Sequence, residues 1–189
     1  MKVSYSREKM LEFCRLHGGL ESLSVSCSVE QTDGISFDAL LEADMRHRYL
    51  DLLDNGPENL LYPKEIGPVA HFYPRPDILP PGWGLVEPPN GCRRILSIRL
   101  DGWSAPALPL PATELPAVLA RQANPYTVAT AEMPVAVLLP GGSVAVTPLS
   151  IEAMINPRVS SMTAAYDEGP QTYSFDEAAL GRIIDLVKI

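Results

Sequence analysis

The chain has 189 residues, of which 46% are hydrophobic and 20% are charged, and its formal net charge is −8. This length and composition predict a globular protein with a core of its own rather than a disordered chain. The acidic balance argues against broad nucleic-acid binding, which needs a basic surface, and against docking on an anionic membrane. No apolar run approaches the roughly 20 residues that span a bilayer, and the first residues lack the apolar core of a signal peptide. We therefore expect a protein of the cytoplasm, or of a particle assembled there.

The three cysteines, Cys14, Cys27 and Cys92, have unrelated spacings that do not form a disulfide framework. Cys14 and His17 make a C-x-x-H pair, and Cys27 would supply a third zinc ligand. A structural zinc site normally has four ligands, and no second closely spaced pair follows. We therefore expect reduced thiols and no metal or other cofactor.

Two helices are predicted in the first third of the chain. The first runs from about Arg7 to His17, with Ser6 as its N-cap and Gly18-Gly19 at its end, and buries Met10, Leu11, Cys14 and also Phe13. The second, in "SFDALLEADMRHRYLDLLDNGP", has an acidic outer face and is ended by Asn55-Gly56 and Pro57. Its apolar residues recur at three- and four-residue steps: Phe37, Leu40, Leu41, Met45, Tyr49, Leu52 and Leu53.

The middle of the chain is typical of β structure. Candidate strands are "PVAHFYP", "RRILSIRL", "MPVAVLLP", "SVAVTPL" and "VSSMTAAYD", and the third and fourth form a hairpin across a Pro-Gly-Gly turn. Between the second and third candidate strands, "LPAVLARQANPY" predicts a short helix ended by Pro125. Twelve of the nineteen prolines lie between Pro63 and Pro116. Since proline donates no ladder hydrogen bond, they predict extended loops at about 57–92 and 104–116.

A final helix is predicted at about 174–188, where Ser174 and Glu177 form a capping box ahead of an apolar stripe. The whole pattern predicts one α+β domain over residues 1–189. It would have a small antiparallel β core, two to four helices and long proline-rich loops.

No catalytic motif stands out in the sequence. A phosphate-binding glycine loop and a nucleophile elbow are missing, and Gly141-Gly142 is explained as a turn. His47 lies between two arginines on the polar side of a helix, where we expect it to be solvated. A nuclease core needs an acid ahead of a lysine on a strand, whereas "LYPKEI" has the reverse order. We therefore expect a protein that is not an enzyme.

The stretch "CRRILSIRLDGW" raises the question of what its three arginines do. Strand alternation places Leu96, Ile98 and Leu100 on a core face and directs Arg93 and Arg99 outward. One interpretation is a half-buried strand with a solvated polar face, and another is an anion site. A third is a protein interface, because arginine and tryptophan are enriched at binding hot spots. Our interface hypothesis comprises Arg93, Arg94, Arg99, Trp103, Trp83 and Tyr126.

Three segments in order, "RHRYLDLLDNGPENLLYP", "CRRILSIRLDGWSAPA" and "RQANPYTVATAEMPVAVL", resemble small structural proteins from phage and prophage gene clusters of Bacteroidetes. The resemblance covers roughly residues 46–138 and carries over no functional residue. It implies a neck, ring or head–tail connector subunit that contacts itself and neighbouring virion proteins through loops and termini. Contact with DNA would be at most transient, as DNA passes through a channel. The location would be the host cytoplasm during assembly and then the virion.

In such a ring, one patch must complement a different patch, and the arginine strand would meet the acidic face of the second helix. An alternative is a monomeric or dimeric cytoplasmic binding module, of immunity or regulatory type, whose arginine strand recognises an acidic partner. A third possibility is a metal-dependent nuclease or hydrolase.

Overall fold

The computed structural model describes residues 1–17, 37–67, 72–73, 77, 79–156 and 158–184. Its backbone divides into two compact units. Unit 1 comprises Met1–Tyr62 and Ala165–Ile189, and unit 2 comprises Pro63–Ala164. Helices and strands occur in both, so the predicted α+β class is confirmed. That the whole chain forms one domain stays a prediction.

The elements follow one another in chain order. The strands are β1 (Lys2–Ser6), β2 (Lys64–Ile66), β3 (Phe72–Tyr73), β4 (Gly84–Val86), β5 (Cys92–Leu100), β6 (Pro109–Leu110), β7 (Val135–Leu138), β8 (Val144–Thr147), β9 (Val159–Tyr166) and β10 (Thr172–Asp176). The helices are α1 (Arg7–His17), α2 (Phe37–Asn55), α3 (Leu115–Gln122), α4 (Ile151–Ile155) and α5 (Leu180–Ile184). Short 3-10 turns lie at Glu58–Leu60, Ala112–Glu114 and Glu177–Ala179.

Unit 1 packs three helices with a two-stranded antiparallel sheet of β1 and β10. Ser6 accepts a hydrogen bond from the Lys9 backbone N–H, 3.3 Å away, which confirms the predicted start of α1. The predicted face of α2 is correct for the buried residues Leu41, Met45, Tyr49, Leu52 and Leu53. It is wrong for Leu40, which is half exposed because it lies beside the stripe rather than within it. The side chain of Phe37 and the Gly18-Gly19 stop lie outside the described residues.

The predicted final helix begins in the wrong place. Residues 172–176 form β10, and Ser174 lies opposite Ser4 of β1, with their hydroxyl oxygens 2.7 Å apart. The cap is Asp176 instead, whose carboxylate accepts a hydrogen bond from the Ala178 backbone N–H. Pairing with a distant strand has therefore overridden the local capping signal. Helix α5 covers Leu180–Ile184, and residues 185–189 lie outside the described part.

Unit 2 contains a three-stranded sheet, ordered β2-β9-β5, and a five-stranded sheet, ordered β3-β4-β8-β7-β6. The predicted hairpin is confirmed, since β7 and β8 pair antiparallel with Val135 opposite Thr147. An isolated bridge between Ile98 and Ala107 joins β5 to the segment before β6. The main core takes buried side chains from both sheets, including Val86, Ile98, Leu100, Trp103, Val144, Val146, Val159 and Met162.

The two predicted loops contain more structure than the prolines indicate. Strands β2, β3 and β4 lie within 57–92, and β6 and a 3-10 turn lie within 104–116. These strands have only two or three residues, too few to show a period in the sequence. The proline rule itself holds at Pro109, because β6 is last in the strand order of its sheet. The rest of the "PVAHFYP" strand lies outside the described residues.

A smaller apolar cluster lies on the other side of β7 and β8. Val118 of α3 packs there with Trp83, Val137 and Ala145. All four residues of β8 are buried, because Val144 and Val146 face the main core while Ala145 faces the smaller cluster. The predicted helix in "LPAVLARQANPY" is thus confirmed, although it ends at Gln122, ahead of Pro125.

An ion pair ties α1 to α2 within unit 1. The Arg7 guanidinium donates one hydrogen bond to each carboxylate oxygen of Glu42, both with a donor–acceptor distance of 2.5 Å. This bidentate geometry is the strongest that an arginine and a carboxylate adopt. The hydrogen bond from Arg7 lowers the pKa of Glu42 from its ordinary value.

Replacing Glu42 by glutamine is expected to lower the thermal midpoint at neutral pH and to matter less in acid. Because the folded-state pKa of Glu42 is lowered, its contribution is present above the unfolded value of about 4.3 and is lost as pH falls through the folded value. Thermal melts of wild type and Glu42→Gln at neutral pH and near pH 3 measure the effect. Glu12→Gln, in the exposed pair with Lys9, is the control and should change little. If the difference in thermal midpoint between wild type and Glu42→Gln is the same at both pH values, the Glu42 carboxylate is not stabilised by Arg7.

Candidate functional site

Strand β5 has the alternation that the sequence predicts. Leu96, Ile98 and Leu100 are buried, while Arg93 and Arg99 are exposed. Ile95, on the second face, is buried as well, so that face is only partly solvated. The interpretation as a half-buried strand with outward arginines is therefore correct for the described strand, and the interface interpretation stays a prediction.

Trp103 lies just beyond the end of β5, in the core. Only 3% of its surface is exposed, and its indole Nε1 donates a 2.8 Å hydrogen bond to the Pro148 carbonyl. The Trp103 carbonyl accepts a 3.0 Å hydrogen bond from Arg99 Nε. The structure thus brings Arg99 and Trp103 together. The indole ring itself lies in the core and is not exposed at the protein surface.

Three chain segments meet around Trp103. The next residue, Ser104, donates its backbone N–H to the Ala131 carbonyl at 2.9 Å, which fixes residues 104–108 against the turn at 130–133. The Pro148 carbonyl is held by the indole, and the following Leu149 N–H donates to the Gly82 carbonyl at 3.0 Å. Trp83 directly follows Gly82. One small region of unit 2 therefore connects both tryptophans through the 147–149 segment.

These segments and their continuations carry large apolar side chains that point to solvent. The exposed fraction is 95% for Tyr126, 79% for Ile155, 75% for Ile151, 70% for Leu108 and 69% for Met133. We refer to these five residues as the exposed apolar set. Single exposed apolar residues are ordinary, whereas several large ones within one compact unit make that unit a candidate for contact with a partner.

A fixed turn presents Tyr126. Asn124 accepts a 3.0 Å hydrogen bond from the Tyr126 backbone N–H through its side chain, and another from Thr127 N–H through its carbonyl. The Thr127 hydroxyl donates to the Arg121 carbonyl at the end of α3. Since the turn is anchored on both sides, little backbone entropy remains to be lost when Tyr126 is buried by a partner.

A cleft of about 410 Å³ lies beside this turn. It is lined by Pro80, Pro81, Gly82, Trp83, Leu119, Gln122, Ala123, Val128, Ala129, Thr147 and Pro148. No charged side chain is among these lining residues. Gln122 is occupied in part, because its Oε1 accepts a hydrogen bond from the Ala129 backbone N–H. The cleft is therefore uncharged and lined mainly by apolar groups.

The remaining predicted residues lie elsewhere. Arg93 and Arg94 are at the opposite end of β5, about 20 Å from Arg99 at the rise of an extended strand. The six residues of the interface hypothesis thus fall into two groups. Arg99, Trp103, Trp83 and Tyr126 belong to the region around the 147–149 segment, and the other two arginines do not.

Two cysteines fall within the described residues. Burial raises the pKa of Cys14 to about 11, and it also raises the pKa of Cys92 to about 11, so both are thiols at neutral pH and poor nucleophiles. Cys27 lies outside the described residues. In the described part of the chain, no group of three or more His, Cys, Asp or Glu side chains is placed to hold a metal ion.

None of the described helices is both long and apolar enough to cross a membrane. No protein-family model matches the chain, and no curated protein matches it significantly.

Proposed function

We propose that the protein is a non-enzymatic assembly subunit that forms an oligomer, and that it belongs to a phage or prophage neck or head–tail connector. The observation that supports this proposal is the exposed apolar set, which lies on the segments that hydrogen bonds join near Trp103 and on their continuations along the chain. A connector subunit would occupy the host cytoplasm during assembly and the virion afterwards. It would contact further copies of itself and neighbouring virion proteins.

Physical considerations favour a contact role for this surface. Burying apolar area stabilises an interface by about 25 cal/mol per Å², so five large side chains left in solvent represent a substantial potential gain. The segments that carry them are stiffened by prolines and by anchored turns, which reduces the entropy lost on docking. Head-to-tail repetition of such a contact would close a ring.

The test is the native mass of the purified protein across a concentration series, with negative-stain images of any large species. We expect a closed assembly of many copies. Tyr126→Ser should weaken assembly, because it removes the aromatic ring of the set, which is also its most exposed side chain, and leaves the core unchanged. Leu16→Ser, at a half-exposed leucine of α1 outside the set, is the control and should assemble like wild type. A monomer at every concentration would contradict the proposal.

A second candidate function is a binding module that recognises one acidic partner. The exposed Arg93 and Arg99 at the two ends of β5 favour it, since they present two guanidinium groups on one strand. Such a module would stay monomeric or dimeric. Its complex with the acidic partner would weaken with salt.

A further inference from the structure

The net charge of the chain resides in one of its two units. Unit 1 holds eight Lys and Arg against sixteen Asp and Glu, whereas unit 2 holds seven of each. Unit 1 therefore accounts for the whole charge of −8, and unit 2 is neutral. Two copies of unit 1 repel each other at close range, and two copies of unit 2 carry no such penalty.

Exposed apolar side chains show the opposite distribution, with more of them in the neutral unit 2 than in the acidic unit 1. The whole exposed apolar set belongs to unit 2, together with the partly exposed Tyr73 and Val128. Among the described residues of unit 1, the exposed large hydrophobic side chains are Met1 and the half-exposed Leu16 and Leu40. Among the described residues, the neutral unit therefore carries most of the exposed large apolar side chains.

Several of the charged side chains that would make the alternative contact are already engaged within their own unit. On α2, Glu42 pairs with Arg7, Asp38 with Arg15 and Asp44 with Arg48. On β5, Arg99 donates to the Trp103 carbonyl. A contact between the arginine strand of one copy and the acidic helix of the next would have to compete with these internal bonds. Exposed ion pairs yield little net free energy even without such competition.

We propose that copies of this chain associate through unit 2 alone, with the exposed apolar set of one copy packed against unit 2 of the next. The acidic unit 1 takes no part in this contact and limits how densely copies can approach. This inference rests on the proposed assembly function and names its surface and its partner, a second copy of unit 2.

The salt dependence distinguishes the two kinds of contact. Between about 0.1 M and about 1 M salt the Debye length falls from about 10 Å to about 3 Å. Repulsion between acidic units is then screened, so an apolar contact through unit 2 should be unchanged or tighter at high salt. A contact between arginines and carboxylates should instead become weaker.

The experiment is sedimentation equilibrium of the full chain at both salt concentrations. It compares wild type, the double variant Ile151→Ser/Ile155→Ser, and Leu40→Ser, an exposed leucine of unit 1. We expect wild-type association to hold or rise with salt, the double variant to associate at least about tenfold more weakly, and Leu40→Ser to match wild type. Thermal melts should show all three folded, since each change is at an exposed side chain.

Two results would overturn the inference and leave the proposed function standing. One is association that falls with salt, and the other is association lost in Leu40→Ser and retained in the double variant. A wild-type protein that is monomeric at every concentration and both salt levels would overturn the assembly function together with the inference.

Discussion

Replacing Trp103 by alanine is expected to destabilise unit 2 by about 3–5 kcal/mol, the range for truncating a buried tryptophan. The ring lies in the main core, and its indole N–H satisfies the Pro148 carbonyl. The variant would therefore leave both a cavity and an acceptor without its donor. Denaturant unfolding followed by tryptophan fluorescence reports on unit 2 specifically. The chain has two tryptophans, both in this unit, and Trp83 remains as a probe in the variant.

Two further variants separate the contributions. Trp103→Phe keeps most of the apolar volume but loses the N–H donor, so its cost should lie below that of the alanine variant. Tyr126→Ala is the exposed control and should stay within about 0.5 kcal/mol of wild type. If Trp103→Ala unfolds at nearly the wild-type denaturant concentration, the indole does not anchor the 147–149 segment, and the support of the exposed apolar set must be sought elsewhere.

The elements predicted correctly from the sequence are those whose signal is local. Helix α2 repeats apolar residues over 19 positions, and the β7–β8 hairpin has two β-rich runs on either side of a glycine turn. Strand β10 could not be predicted in this way. Its partner β1 begins at Lys2 and pairs with residues near 176, so the interaction that decides its conformation spans almost the whole chain. The S-x-x-E pattern at Ser174 is a valid capping signal that the long-range pairing overrides.

The candidate site was predicted in part. Strand alternation predicts the exposed Arg99, and the interface hypothesis includes Tyr126. Leu108, Met133, Ile151 and Ile155 were missed because single apolar residues in short segments show no period. The burial of Trp103 depends on the Pro148 carbonyl, 45 residues along the chain, which local sequence does not reveal. The two isoleucines at an i, i+4 spacing in "IEAMI" were the one signal that sequence reasoning could have used.

Replacing Tyr49 by phenylalanine is expected to destabilise unit 1 by about 1–3 kcal/mol. The Tyr49 hydroxyl donates to the Ser174 carbonyl at 3.3 Å and accepts from the Ser174 N–H at 3.1 Å. These two bonds satisfy the backbone N–H and C=O of Ser174 on the edge of β10 that does not pair with β1. Phenylalanine keeps the ring and its packing, so the loss isolates the two hydrogen bonds. Denaturant unfolding followed by near-ultraviolet circular dichroism of the tyrosines measures it.

Tyr173 supplies the matched control for Tyr49. Its ring centre lies 4.9 Å from that of Tyr49 and it is equally buried, but its hydroxyl makes no backbone hydrogen bond and lies beside the Arg46 guanidinium instead. Tyr173→Phe removes that weaker contact alone, so it should cost less stability than Tyr49→Phe. Equal losses in the two variants would show that the bonds from Tyr49 to Ser174 add no stability beyond that of any buried hydroxyl in this pair.

Alkaline pH provides an independent check on the same bonds. Burial raises the pKa of Tyr49 to about 12. The neutral hydroxyl therefore contributes its full stability below the unfolded value of about 10, and this contribution is lost as pH rises through about 12. The difference between wild type and Tyr49→Phe should be constant up to about pH 10 and should narrow above it, since phenylalanine has no proton to lose. A difference that stays constant through about pH 12 would mean that the folded-state pKa of Tyr49 is the ordinary one, and the burial of its hydroxyl against Ser174 would then be wrong.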